Sequence, residues 1–244
     1  MEAINMVIII GSEETGGKIL RLLSKANLKL NLKERDYLQE LTEADLILES
    51  SLEDFESRKD ILRRCGEKAS PNAILATTSP KGITELAAAT RRPQNFLGLN
   101  FVFNPFQEEK CLVQIVRGLE TSEEIIGSCQ NLAEKVGAET VVVEDSPGLI
   151  LDRVMASVIN EAANMYAAKI ATVEDIDRIT KLCLNWPMGP FEFADAIGID
   201  KVLATLETLS QEIGPQFMPC RLIKQMVAIG KLGRKTGKGF YTYS

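Results

Sequence analysis

The sequence predicts a doubly wound α/β domain with a mostly parallel sheet, followed by an all-helical domain. Three observations carry this expectation. Short apolar runs alternate with amphipathic stretches over the first 145 residues, a glycine turn from Gly11 to Gly16 follows the first of those runs, and helical spacing takes over after Ser146-Pro147-Gly148. Strands that alternate with helices imply a parallel sheet covered on both faces. The domain boundary is therefore placed between residues 1–145 and 146–244.

Asn5 to Ile10 is a continuous apolar run, as a buried parallel strand requires, and Gly16 to Leu23 follows with helical spacing. Leu28, Leu30 and Leu32 alternate with Lys29, Asn31 and Lys33, the pattern of a strand at a sheet edge or with one face exposed. Ala44 to Glu49 and Ala73 to Thr77 supply a third and a fourth strand. Between them, Asp54 to Lys68 sets Phe55, Ile61 and Leu62 among charges, as an outer crossover helix would. The alternation continues with Ile83 to Thr90 as helix, Phe96 to Phe103 as strand, Ser122 to Val136 as helix and Glu139 to Val143 as strand. Past the boundary, Leu149 to Lys169 keeps Ile150, Val154, Val158 and Ala162 on one helical face. Thr172 and Asp175 have the form of a capping box for the next helix, and Pro187 to Pro190 and Gly237 to Gly239 punctuate the remainder.

Composition narrows the function classes. With 45% hydrophobic and 25% charged residues, the chain has the profile of a soluble globular protein. Its net charge of -6 arises from mixed acids and bases without a basic block, which argues against a nucleic-acid partner. No apolar run approaches the roughly 18 to 20 residues that span a bilayer, and Met1-Glu2-Ala3 lacks a basic leader, so a cytoplasmic protein without a membrane partner is expected. The five cysteines are scattered and read as free thiols. Glu174, Asp175 and Asp177 lie at a helix start, where capping and solvation explain them better than a metal, and no metal is expected. Histidine is absent, so no mechanism that needs an imidazole can run from this chain alone.

Six segments, read together and in order, resemble the 3-hydroxyacyl-CoA dehydrogenase family. They are ADLILESSLEDFESRK (44 to 59), ILATTSPKGITELA (74 to 87), FLGLNFVFNP (96 to 105), VVVEDSPGLILDR (141 to 153), NWPMGPFEFADAIGID (185 to 200) and KLGRKTGKGFYTY (231 to 243). The resemblance implies a Rossmann-type NAD-binding domain and a C-terminal helical domain through which the family dimerises. The expected partner is therefore a second copy or a paralogous dehydrogenase. In this family a histidine takes the proton of the 3-hydroxyl while hydride passes to NAD, and a glutamate holds that histidine. The histidine's place falls on Asn100 when aligned through Gly98-Leu99, or on Phe101 when aligned through Asn104-Pro105. The glutamate's place falls on Gln114 and the family's active-site asparagine on Asp152, while the site serine is matched by Ser79. Losing a general base removes a factor of roughly 10² to 10⁴ in rate.

The coenzyme turn departs as well. Gly11 and Gly16 stand where the first and third glycines of a G-x-G-x-x-G fingerprint belong, but Glu13 replaces the second, which lets backbone approach the pyrophosphate. A carboxylate about 4 Å from a phosphate charge costs on the order of 4 kcal/mol at an effective dielectric near 20. NAD is thus admitted by the glycines and disfavoured by Glu13. An acid for the ribose is expected about 20 residues past the turn; that point is Asn31, with Glu34 the nearest acid. Only Lys33 to Glu43 separates the second strand from the third, too short for the helical arm that the family uses to hold coenzyme A. The sequence therefore favours a catalytically impaired homologue with a structural or regulatory role. The alternatives are an active NAD-dependent oxidoreductase working through Ser79, water and Asp152, and a binding protein for an acyl or nucleotide ligand.

Overall fold

The computed structural model describes residues 4–34, 39–51, 53–104 and 107–243. The chain divides into two compact units, Met1–Ser146 and Pro147–Ser244.

The first unit is built on a seven-stranded sheet. Its strands are β1 (Met6–Ile10), β2 (Lys29–Lys33), β3 (Leu46–Glu49), β4 (Ile74–Thr77), β5 (Phe96–Asn104), β6 (Gln107–Arg117) and β7 (Glu139–Glu144), in the order β2-β1-β3-β4-β5-β6-β7. Every neighbouring pair is parallel except β5 and β6. The helices are α1 (Glu13–Leu23), α2 (Phe55–Lys68), α3 (Ile83–Ala89) and α4 (Glu123–Lys135). Every residue of β1, β3 and β4 is buried, as strands covered on both faces must be, whereas edge strands β2 and β7 are only partly covered. Val7, Ile9, Leu48, Ala76, Leu97 and Ile115 belong to a core shared with Ile19 of α1 and Ile125 and Leu132 of α4. Asp54 caps α2 by accepting from the Ser57 amide at 2.9 Å.

Strand β6 is the element that periodicity missed. It opens on QEEK, which reads as a loop, and its interior LVQIV does not alternate cleanly because both faces are covered. Burial pushes the thiols of Cys65 and Cys129 up to about 12 and that of Cys111 to about 11, so these free cysteines stay protonated and unreactive at neutral pH.

The second unit packs α5 (Leu151–Ala167), α6 (Val173–Leu184), α7 (Pro190–Ile197), α8 (Ile199–Glu212) and α9 (Arg221–Ala228) around Ala163, Phe191, Ile199, Leu206, Leu209 and Ile223. Thr172 caps α6, its hydroxyl accepting from the Asp175 amide at 3.1 Å. Asp177, expected to be solvated, is buried instead. Its carboxylate accepts the amides of Phe191 at 2.8 Å and Glu192 at 3.0 Å and the hydroxyl of Tyr241 at 2.9 Å, so it joins the start of α7 to the C-terminal tail. Buried Asp195 takes the amides of Phe240 at 3.0 Å and Tyr241 at 2.9 Å and the Tyr243 hydroxyl at 3.0 Å. Burial raises the Asp177 carboxyl above its ordinary value while its donors pull it down, and burial together with Asp195 pushes the Tyr243 phenol up to about 12. Among the described residues no helix is long and apolar enough to cross a membrane.

Tyr241→Phe removes the hydroxyl that Asp177 accepts and leaves the ring in place. Urea unfolding should report a loss of about 1.5 to 3 kcal/mol, the range for a hydrogen bond to a charged group. A loss under about 0.5 kcal/mol would show that the bond does not hold the tail.

Candidate active site

The glycine turn lies at the C-terminal end of β1, which has β2 on one side and β3 on the other. The chain crosses to opposite sides of β1 in succession, and the crevice at such a switch point is where ligands of open α/β sheets bind. The Gly11 amide donates to the Lys33 carbonyl at 2.9 Å, and the Gly16 amide to the Ser12 carbonyl at 2.7 Å. A Cβ on Gly16 would stand 2.6 Å from Leu32 Cδ1, 3.0 Å from Ile9 Cγ2 and 3.3 Å from Ser50 Oγ. Gly16 thus performs the packing role of the third fingerprint glycine, bringing α1 hard against the sheet.

Glu13 opens α1, and its carboxylate does not stand over the helix end. It reaches back along the helix to Arg21 Nη1 at 3.1 Å, crossing Gly17, with 70% of its side chain exposed. At the end of β2, Glu34 is the first residue beyond the strand and is exposed. A second acid arrives that spacing did not suggest: the Glu40 carboxylate accepts from Asn31 Nδ2 at 2.9 Å and from Lys33 Nζ at 2.6 Å. Of the short connection that follows β2, residues 35–38 lie outside the described residues, and Leu41–Glu43 form a 3₁₀ turn.

Ser79 sits two residues past β4 in a buried turn. Its amide donates to Thr77 Oγ1 at 3.0 Å and its hydroxyl to the Lys81 carbonyl at 2.8 Å. Gly82 closes the turn at φ +69, and a Cβ there would lie 2.6 Å from the Phe55 ring, so no other residue fits without strain.

Asn100 and Gln114 face each other directly across the β5–β6 pair. Phe101, the other position open to the family's histidine, packs with Leu97, Leu99, Val113 and Ile115 in the hydrophobic core on the opposite face. The pairing register shifts between Phe103 and Asn104, the mark of a bulge. The shift adds three residues on β6 and none on β5. Gly98 pairs with Thr77, so Asn100 extends two residues beyond the last β4 pairing, at the sheet edge that also carries Ser79. Asp152 belongs to the second unit, exposed in the first turn of α5.

The turn fits a dinucleotide in its packing and its place in the sheet, with Gly11, Gly16 and the start of α1 as the residues that would hold the pyrophosphate. An exposed carboxylate at about 4 Å costs on the order of 1 kcal/mol in water. Glu13→Gly should therefore tighten NADH roughly fivefold in a fluorescence titration, and a gain of a hundredfold or more would show that Glu13 does block the site.

Residues 9–146 match the family model for the 3-hydroxyacyl-CoA dehydrogenase NAD binding domain, and residues 148–243 match that for the 3-hydroxyacyl-CoA dehydrogenase C-terminal domain. The first match runs through Glu13 and Gly16, so the substitution does not take the unit out of the NAD-binding type. A probable 3-hydroxybutyryl-CoA dehydrogenase of Bacillus subtilis is 40% identical over 208 residues, 84% of this chain and 72% of that protein. A 3-hydroxybutyryl-CoA dehydrogenase of Clostridioides difficile is 37% identical over 232 residues, 94% of this chain and 82% of its own length. Among solved structures, the (S)-3-hydroxybutyryl-CoA dehydrogenase of Ralstonia eutropha superposes with a TM-score of 0.89 at 30% identity, over 99% of this chain and all of that one. With both halves matched in order, this chain belongs to the 3-hydroxyacyl-CoA dehydrogenase family.

Proposed function

We propose that the chain is an NAD-dependent oxidoreductase acting on 3-hydroxyacyl-CoA or a related small hydroxyacyl substrate, without an imidazole in its proton path. The observation that carries this reading is one sheet edge that holds the glycine turn, the Ser79 turn and the Asn100–Gln114 pair in the family's order. The dehydrogenase names of relatives 37 to 40% identical support it over the expectation of an inactive partner. A bound nicotinamide supplies the hydride acceptor or donor. The chain's own residues bind and orient the other reactant. The Asn100 amide can donate a hydrogen bond to the 3-oxygen and polarise it, but it cannot take a proton at neutral pH. Gln114, buried on the neighbouring strand, stands directly opposite Asn100. The proton then exchanges with water.

Turnover of acetoacetyl-CoA with NADH should be measurable and slow, about 10² to 10⁴ below a relative that has its histidine. In the hydroxyacyl-oxidising direction no inflection should appear near pH 6.5. Activity should instead rise steadily with pH, because water and then hydroxide takes the proton. No NADH binding at millimolar concentration and no turnover would return the chain to the impaired homologue.

The reading includes a partner. Ile170, Ile179, Leu182 and Leu184 of the helical unit are exposed to 70, 61, 74 and 57%, and large apolar side chains left uncovered support an association surface there. A second copy of the chain in an aqueous, reducing compartment fits both this surface and the free cysteines. Sedimentation should give a dimer that Leu182→Glu converts to monomer, and a wild-type monomer would point to a paralogous dehydrogenase as the partner.

A further inference from the structure

Four polar side chains are buried together where β3 and β4 end: Glu49 and Thr77 have no exposure, Ser50 has 2% and Ser79 has 3%. A carboxylate removed from water costs several kcal/mol unless its oxygens are paired. Both oxygens of Glu49 are paired. Oε2 accepts from Arg58 Nη1 at 2.8 Å and from Thr77 Oγ1 at 2.6 Å, while Oε1 accepts the Ser51 amide at 2.7 Å and the Ser51 hydroxyl at 2.5 Å. Arg58 closes the cluster by donating Nη2 to the Ser51 carbonyl and Nε to the Glu53 carbonyl at 3.1 Å.

Thr77 is the link that matters for the site. Its hydroxyl proton goes to Glu49, which turns its lone pairs toward the Ser79 amide at 3.0 Å. Glu49 thereby fixes two turns at once, the one after β3, where Ser50 lies beside Gly16, and the one after β4 that carries Ser79. A buried charge is a poor way to gain stability alone, since a well-packed apolar group of the same shape often serves as well or better. Its gain here is direction, because a carboxylate can only accept and so fixes which way the Thr77 proton points.

We propose that Glu49 and Thr77 are positioning residues that hold Ser79 in register with the coenzyme crevice, an inference that rests on the oxidoreductase reading of the same edge. Thr77→Val keeps the shape and removes both bonds, and Thr77→Ser keeps both. Four quantities decide between a positioning role and a merely structural one: kcat and KM for acetoacetyl-CoA well below the melting temperature, Kd for acetoacetyl-CoA, and hydrogen exchange of the Ser79 amide. Thr77→Val should lower kcat/KM by roughly 10- to 100-fold, as misplacement of a substrate-contacting group does. It should also speed Ser79 exchange, and Thr77→Ser should remain within about threefold of wild type on both readouts.

A Thr77→Val protein that melts earlier but keeps kcat/KM and Ser79 exchange within threefold of wild type overturns the proposal. So does Thr77→Ser behaving like Thr77→Val. If Thr77→Val does not fold, Glu49→Gln is read in its place, with the same losses expected and unchanged values overturning it. A wild-type chain without turnover defeats the oxidoreductase reading and leaves positioning to be judged by acetoacetyl-CoA affinity and Ser79 exchange, where equal values in wild type and variant overturn it.

Discussion

A parallel sheet buried on both faces has no room for polar chemistry except at its ends, and that constraint arranges the rest of the N-terminal unit. β1 is apolar at every position, and β3 and β4 are apolar until their last residues, Glu49 and Thr77. Polar groups can gather only where strands hand over to turns, and the C-terminal edge is where helix N-termini also point. Gly11 to Gly16, Ser50, Ser79 and Asn100 all occupy that edge, although they come from four different strands and their turns. The apolar interior is therefore what makes the site a site. It forces each crossover to deliver its polar residues to one line, and it makes each of them find a partner there.

Much of this was legible in the sequence, for reasons that the structure makes plain. Strands buried on both faces give runs such as Met6 to Ile10, and crossover helices give mixed stretches such as Phe55 to Lys68, so their alternation survives in the letters. β6 was not legible, because a covered antiparallel strand beside a polar opening has neither a clean period nor a glycine at its start. Local spacing also failed where partners lie far apart in sequence. Thr77 is 28 residues from Glu49, and Tyr241 is 64 from Asp177, and no helical or strand period links either pair. Glu40 escaped notice for a related reason: it returns to Asn31 across a connection, while the spacing rule looks only along the strand.

The two open positions for the family's histidine illustrate what three dimensions add. Asn100 and Phe101 are neighbours in sequence and lie on opposite faces of the sheet. The face of Phe101 is filled by Leu97, Leu99, Val113 and Ile115, where a polar group would be unpaired. Sequence letters could not choose between two alignments one residue apart. The register runs unbroken from Gly98 with Val116 to Phe103 with Cys111, so the alternation of β5 puts Asn100 on the face away from that core.

Electrostatics matches the side chains at positions 100 and 114, which stand opposite each other. Position 114 is almost wholly buried, at 4% exposure. A glutamate there is tolerable opposite an imidazole, which can share a proton with it or carry the compensating charge. Opposite an asparagine, the same carboxylate would be a buried charge without a counterion, costing several kcal/mol. Glutamine removes that charge and keeps a side chain that both donates and accepts, as Asn100 also does. An uncharged side chain at 114 therefore suits an asparagine opposite it, and each carries an amide that can donate and accept. What such a pair gives up is proton transfer, and what it keeps is the capacity to bind and polarise a carbonyl oxygen.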